Sequence, residues 1–327
     1  MARRLAAGLF AALLALPCHA AEPPLVPERT IALHDVRGRI DHMAIDVARK
    51  RLLVAELGNN SVDVIDLDAG TVVHRFTGLR EPQGVGYADR ADVILVANAG
   101  DGTVRLFGAA DFSPVGSVAL GDDADNVRID PRNGHAVVGY GSGGLALIDP
   151  ASRAKIGDIR LPAHPEAFQI DRKIGHAYVN IPGAHLIAVV DLETRRVVGS
   201  WPMHYAGANF PMAFDPEQSL IASTFRSPPS LLLLDAATGA ERQRLPVCDD
   251  ADDVFFDAAR ARIYVSCGAG EVAVLHRGST WRSLATVPTA SGARTALFVP
   301  ELDRLFVAER AGLLQSTATI GVYRPTP

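Results

Sequence analysis

Seven short stretches of this 327-residue chain carry side chains suited to acid–base or ligand chemistry. The first holds Arg39, Asp41 and His42, the second Glu81 and Gln83, and the third Asp122, Asp125 and Asn126. His164 and Glu166 form the fourth, His204 and Asn209 the fifth. The sixth, Asp249, Asp250, Asp252 and Asp253, nearly repeats the third, and Arg294 marks the seventh. Carboxylates brought together raise one another's pKa unless a cation relieves the repulsion. Arg39, Arg294 and the histidines would do this internally. A divalent cation held by Asp41, His42, Asp125, Glu166 and Asp252 is the alternative expectation, since oxygen and imidazole donors suit such ions. With such an ion bound, the same set and Asn209 would polarise a carbonyl while a carboxylate or histidine acts as base. The plainer alternative is a hydrated polar mouth whose carboxylates are bridged by water.

Other polar motifs read as folding devices. Asp46, Asp89, Asp130, Asp171, Asp215 and Asp257 each end an apolar run and open a turn. Asp66, Asp149, Asp191 and Asp235 do the same later in each unit. An Asp there caps the turn by accepting from a backbone N–H two residues on. The Gly139–Gly144 loop lies between apolar runs and does not open a helix, so it reads as a hairpin and not a phosphate cradle. The chain carries no HExxH, no P-loop, no nucleophile elbow and no CxxCH haem attachment.

The elements that position the seven stretches repeat. Aligned on the turn aspartates, with Val299 in the seventh position, the units recur every 41–44 residues. Each unit reads as four runs of four to seven β-preferring residues separated by turn residues, which specifies strands. Four strands per unit at this period predict an all-β, seven-bladed β-propeller of four-stranded blades. The seventh unit stops after three strands, and an orphan strand at 29–36 precedes the first. Together they complete the last blade and leave no open sheet edge. In such a ring the first strands line a central channel. The seven stretches precede those strands, so they are expected to gather at one mouth as a polar, acidic ring: Arg39, Asp41, His42, Gln83, Asp125, Asn126, His164, Glu166, Asn209, Asp252, Asp253 and Arg294.

The runs IYVSCGAGEVAVL at 263–275, ILVANAGDGTVRLF at 94–107 and LLVAELGNNSVDVID at 52–66 resemble the YVTN-type β-propeller repeat. The chain is similar to exported proteins of the YncE-like class over nearly its whole length past residue 20. The units after Asp215 and Val299 depart most, through longer loops between second and third strands. The motif implies a fold and leaves the chemistry open, because propellers host many unrelated functions.

Residues 1–20 read as a secretory signal: Arg3 and Arg4, the apolar run Leu5 to Leu16, then Pro17, and small residues before a cut after Ala20. That run is too short to cross a hydrocarbon core, which needs about 20 apolar residues. Residues 21–327 then form one propeller domain, expected in a bacterial periplasm. The full chain carries a net charge of −5, and cleavage removes two further positive charges. With no Lys/Arg-rich run and few aromatics, nucleic acid is excluded as a partner. Two cysteines survive cleavage, Cys248 and Cys267, on segments expected to pair as neighbouring strands. A disulfide between them and two buried thiols are both open.

The expected function is a binding or scaffold propeller whose mouth contacts a small polar ligand, a metal ion or a periplasmic protein. A metal-assisted hydrolase or lactonase using the same ring is the alternative. A subunit of a quinoprotein-type redox system is a weaker one. Oligomeric state is not legible.

Overall fold

The computed structural model describes residues 22–204, 206–312 and 316–327. The segment read as a signal, residues 1–20, lies outside the described residues. The chain folds into seven antiparallel four-stranded sheets arranged as blades. The first strands of the blades are Met43–Asp46, Pro82–Ala88, Ala124–Ile129, Phe168–Ile170, Gly207–Asp215, Ala251–Asp257 and Ala296–Val299. Each touches the first strand of the next blade, and the last touches Met43–Asp46, so they form a closed inner ring.

In blades 1 to 6 the remaining strands follow in sequence order, each hydrogen-bonded to the one before. The seventh sheet contains Ala296–Val299, Arg304–Glu309 and Ala318–Pro325, and its outermost strand is Leu25–Leu33. That strand starts four residues earlier than the 29–36 read from the sequence. Its register runs from Leu25 opposite Pro325 to Leu33 opposite Ala318.

Second strands such as Val93–Asn98 and Arg262–Cys267 are buried along their whole length, because both faces of each blade are covered by neighbours. The core is accordingly divided among the seams between blades. Leu53, Val64 and Phe76 of blade 1 pack on Val85 and Val96 of blade 2. At the seam between last and first blades, Ile31, Leu33, Phe306 and Ile320 pack on Leu52 and Val54. Polar outer strands follow from the same geometry: Glu241–Pro246 has only exposed and half-buried residues, and Ala154–Arg160 buries only Ile159.

Five of the six turn aspartates act as caps. Asp46 and Asp257 accept from N–H groups three residues on, over 3.0 and 3.2 Å, and among the described residues the Asp89 side chain makes no such bond. Backbone N–H groups of Arg132, Lys173 and Glu217 donate to Asp130, Asp171 and Asp215 over 2.8–2.9 Å. Asp66, Asp149, Asp191 and Asp235 accept in the same way from two residues on. The Cys248 and Cys267 sulfurs are bonded, with Cα atoms 5.9 Å apart.

Candidate functional site

A cavity of about 260 Å³ opens at one end of the inner ring, and all seven blades contribute to its wall. Local distortion of the inner strands makes it. In blades 2, 3, 5 and 6 the first strand slips register against the second between Pro82 and Gly84, Ala124 and Val127, Asn209 and Met212, and Ala251 and Asp253. A bulge places an extra residue without a ladder partner and re-aims its side chain. Gln83, Asp125, Asn126 and Asp252 sit in these bulges and line the cavity. In blades 1 and 4 the first strand is short, and the segment before it stays tied to the second strand. Asp41 N donates to Ala55 O over 2.8 Å, and Glu166 N to Asn180 O over 2.9 Å. Bonds from His42 N to Gln83 O and from Ala167 N to Phe210 O link adjacent blades at the same level.

Asp125 is the electrostatic centre. It is 6% exposed, and its two carboxylate oxygens lie 3.5 Å from Nε2 of His42 and 3.5 Å from Nε2 of His164. Nδ1–H of His164 donates to the Gly141 carbonyl over 2.6 Å, which turns Nε2 toward Asp125. Burial alone would lower both histidines, but the Asp125 carboxylate beside them raises each to about 9. Burial would likewise raise Asp125, yet the two imidazoles pull it well below the usual carboxylate range. His42 is therefore a donor at neutral pH. Asn126, whose amide is 3.0 Å from His42 Nε2, must present Oδ1 to it, and that orientation gives the buried Oδ1 a partner.

Blade 6 supplies a second charged group. Arg294 reaches Asp250 at 2.9 Å and Asp252 at 3.0 Å, and Arg226 of blade 5 contacts the same two carboxylates. Arg39 pairs with Asp41 at 2.9 Å. Burial pushes Asp41 up to about 6, and it pushes Glu166 and Asp253 up to about 7. The wall thus holds four arginines and two histidines against six carboxylates, which is a balanced set and not the acidic ring read from the sequence.

All but one of the twelve expected ring residues line this cavity. The exception is Asn209. It is buried between blades, where its Nδ2 donates to Asn180 Oδ1 over 3.0 Å, and Asn180 in turn donates to the Phe210 and Pro211 carbonyls. The blade 5 bulge begins at Asn209 and turns it out of the channel. Among the described residues no three His, Cys, Asp or Glu side chains are grouped as metal ligands. The five-residue cation set is thus not assembled. Asp125 meets two imidazoles, Asp252 is engaged by two arginines, and Asp41 by Arg39.

Two arginines escaped the sequence reading. Arg226 comes from the end of the second strand of blade 5, outside the segments read as the mouth. Arg128 lies two residues beyond Asn126 on the same strand, and period-two alternation marks it as channel-facing.

No family model matches the chain, and no curated protein matches it in sequence. Among solved structures, a chain in the crystal structure of a mitotic checkpoint complex superposes with a TM-score of 0.80. It is 14% identical, and the match covers 100% of this chain and 99% of that one. Hydrazine synthase of Kuenenia stuttgartiensis gives a TM-score of 0.73 at 17% identity, over 88% of this chain and 97% of that one. At these identities the likeness is one of fold, and among the described residues no helix is long and apolar enough to cross a membrane. The chain is a seven-bladed β-propeller.

Proposed function

We propose that this chain is an exported, YncE-like binding propeller that receives a small polar ligand at the channel mouth. The observation that carries this reading is the cavity itself, a single charged chamber to which every blade contributes a side chain. At about 260 Å³ it falls just below the roughly 300–1,000 Å³ typical of sites for drug-sized molecules, so a smaller, metabolite-sized molecule fits its scale. Among the described wall residues there is no Ser, Cys or Lys, and the Thr295 hydroxyl is committed to the Ile40 carbonyl over 3.0 Å. Among the described residues the metal-assisted hydrolase alternative has no assembled ligand set. The segment at residues 1–20 and the YVTN-type repeat support export to a periplasm.

A thermal-shift and calorimetric screen of residues 21–327 against sugars, organic acids, amino acids and amines tests the reading. The expected result is saturable binding that His42→Asn weakens. Absence of binding across all classes would overturn it. Fractionation of the full chain expressed in a Gram-negative host tests export, with the processed protein expected in the periplasmic fraction.

A further inference from the structure

Most charges in the cavity wall are already engaged. Asp125 stands between two imidazoles, Arg39 pairs with Asp41, and Arg226 and Arg294 share Asp250 and Asp252. Arg128 and Glu166, of opposite sign, are not; Asp253 has no ion pair either, but it accepts from Ala296 N–H over 2.8 Å and is the carboxylate that acts most on Arg128. Arg128 spends only one N–H, from Nη1 to the neighbouring Val127 carbonyl over 3.0 Å, and otherwise stands 6.0 Å from the Phe168 ring. It forms no ion pair with a described carboxylate. The Glu166 side chain, from the next blade, has neither a hydrogen bond nor an ion pair with a described residue. Charges withdrawn from bulk water are normally paired, since leaving one unpaired costs several kcal/mol. A guanidinium presents a fork of donors that matches a carboxylate. Glu166 feels Asp125 and, in the opposite sense, His164 and His42, but no cation bonds to it directly; an ammonium would supply that bond.

Resting on the binding reading above, we propose that the ligand is a small zwitterion, an amino acid or its close analogue, with its carboxylate on Arg128 and its ammonium toward Glu166. An acid lacking the amine would satisfy Arg128 but add a negative charge beside Glu166 and Asp125. An amine lacking the carboxylate would leave Arg128 unpaired. A molecule carrying both charges fills both gaps and leaves the six-against-six balance of the wall unchanged.

The test is calorimetry on residues 21–327 with a panel of α-amino acids. Each is matched by the acid without its amine and the amine without its carboxylate. An amino acid is expected to bind, and either truncation to weaken binding about 10–100-fold, the worth of one charge-assisted interaction. Arg128→Met should weaken the amino acid to the level of its decarboxylated match. In the unliganded protein it removes one hydrogen bond to the Val127 carbonyl and the contact with the Phe168 ring but no ion pair, so the melting temperature should fall only slightly. Equal binding of the deaminated acid overturns the zwitterion assignment, as does amino-acid binding by Arg128→Met at the strength of the unsubstituted protein. Binding by another ligand class without any amino acid overturns this inference and leaves the binding reading standing. No binding in any class removes both.

Discussion

A Cβ placed on Gly84 would lie 2.0 Å from the carbonyl oxygen of Asp125, so the bulge of blade 2 and the centre of the cavity are in backbone contact. Gly84 leaves room for the next blade to bring Asp125 between His42 and His164. Gly84→Ala must displace that backbone, and because the contact is with main chain, no side-chain rotation relieves it. We expect a loss of about 1–3 kcal/mol in denaturant unfolding, the usual cost of overpacking. Ligand affinity should fall with it. Unchanged stability together with unchanged binding would show that the two backbones move apart freely.

The two histidines make stability depend on pH in a defined direction. Both are held at about 9 in the folded chain against an ordinary 6.5. Across that interval the folded state retains protons that the unfolded chain releases. Their contribution is therefore complete below pH 6.5 and lost as pH rises through 9. Asp41, Glu166 and Asp253, raised to about 6 or 7, act in the same direction at lower pH. Asp125, held low, contributes above its ordinary 3.8 and opposes them only in acid. The melting temperature is expected to fall between pH 6.5 and 9, and His42→Asn/His164→Asn should flatten that slope. An equal slope in the double variant would contradict the assignment.

Asp125→Asn tests the same group from the other side. It removes the carboxylate the two half-buried imidazoles share and leaves them the longer contacts to Asp41 at 4.0 Å and Asp123 at 3.6 Å, so burial lowers them further than it now can. Each histidine pKa, followed by NMR, should drop by about 1–3 pH units. The variant should also be less stable than wild type at neutral pH. Histidines still titrating near 9 would mean that Asp125 is not what holds them there.

The Cys248–Cys267 bond ties the segment just before the sixth blade's first strand, Ala251–Asp257, to the end of its second, Arg262–Cys267, and so brackets the strand that carries Asp252 and Asp253. It closes a 19-residue span, and a loop of that size is worth about 3 kcal/mol in the chain-entropy treatment. Residues 21–327, denatured without reductant, should show no free thiol. Cys248→Ser/Cys267→Ser should lower stability by roughly that amount. Two titratable thiols in the unreduced protein would refute the bond.

The blade plan was legible because turn aspartates and apolar runs repeat with little variation, and each is explained by local backbone needs. Most of the mouth was legible too, since the departures from that monotony either precede first strands, as Asp41, His42 and Glu166 do, or fall in their opening residues, as Gln83, Asp125 and Asp252 do. Bulges were not legible. They change the phase of one strand without a residue type that announces it, which is why Asn209 was assigned to the channel and lies between blades instead. The charge balance was missed for a related reason. Arg226 reaches the mouth from a second strand, and Arg128 lies past the stretch that looked irregular, inside what reads as ordinary strand.

The most direct test of the mouth cavity as the binding site is hydrogen exchange of residues 21–327 with and without the pooled ligand panel. We predict slowed exchange at 39–44, 83–85, 123–128, 164–168 and 251–255, the segments that build the wall, with the outer strands unchanged. Slowed exchange confined to outer strands or to the opposite end of the ring, with the wall segments unaffected, would contradict it.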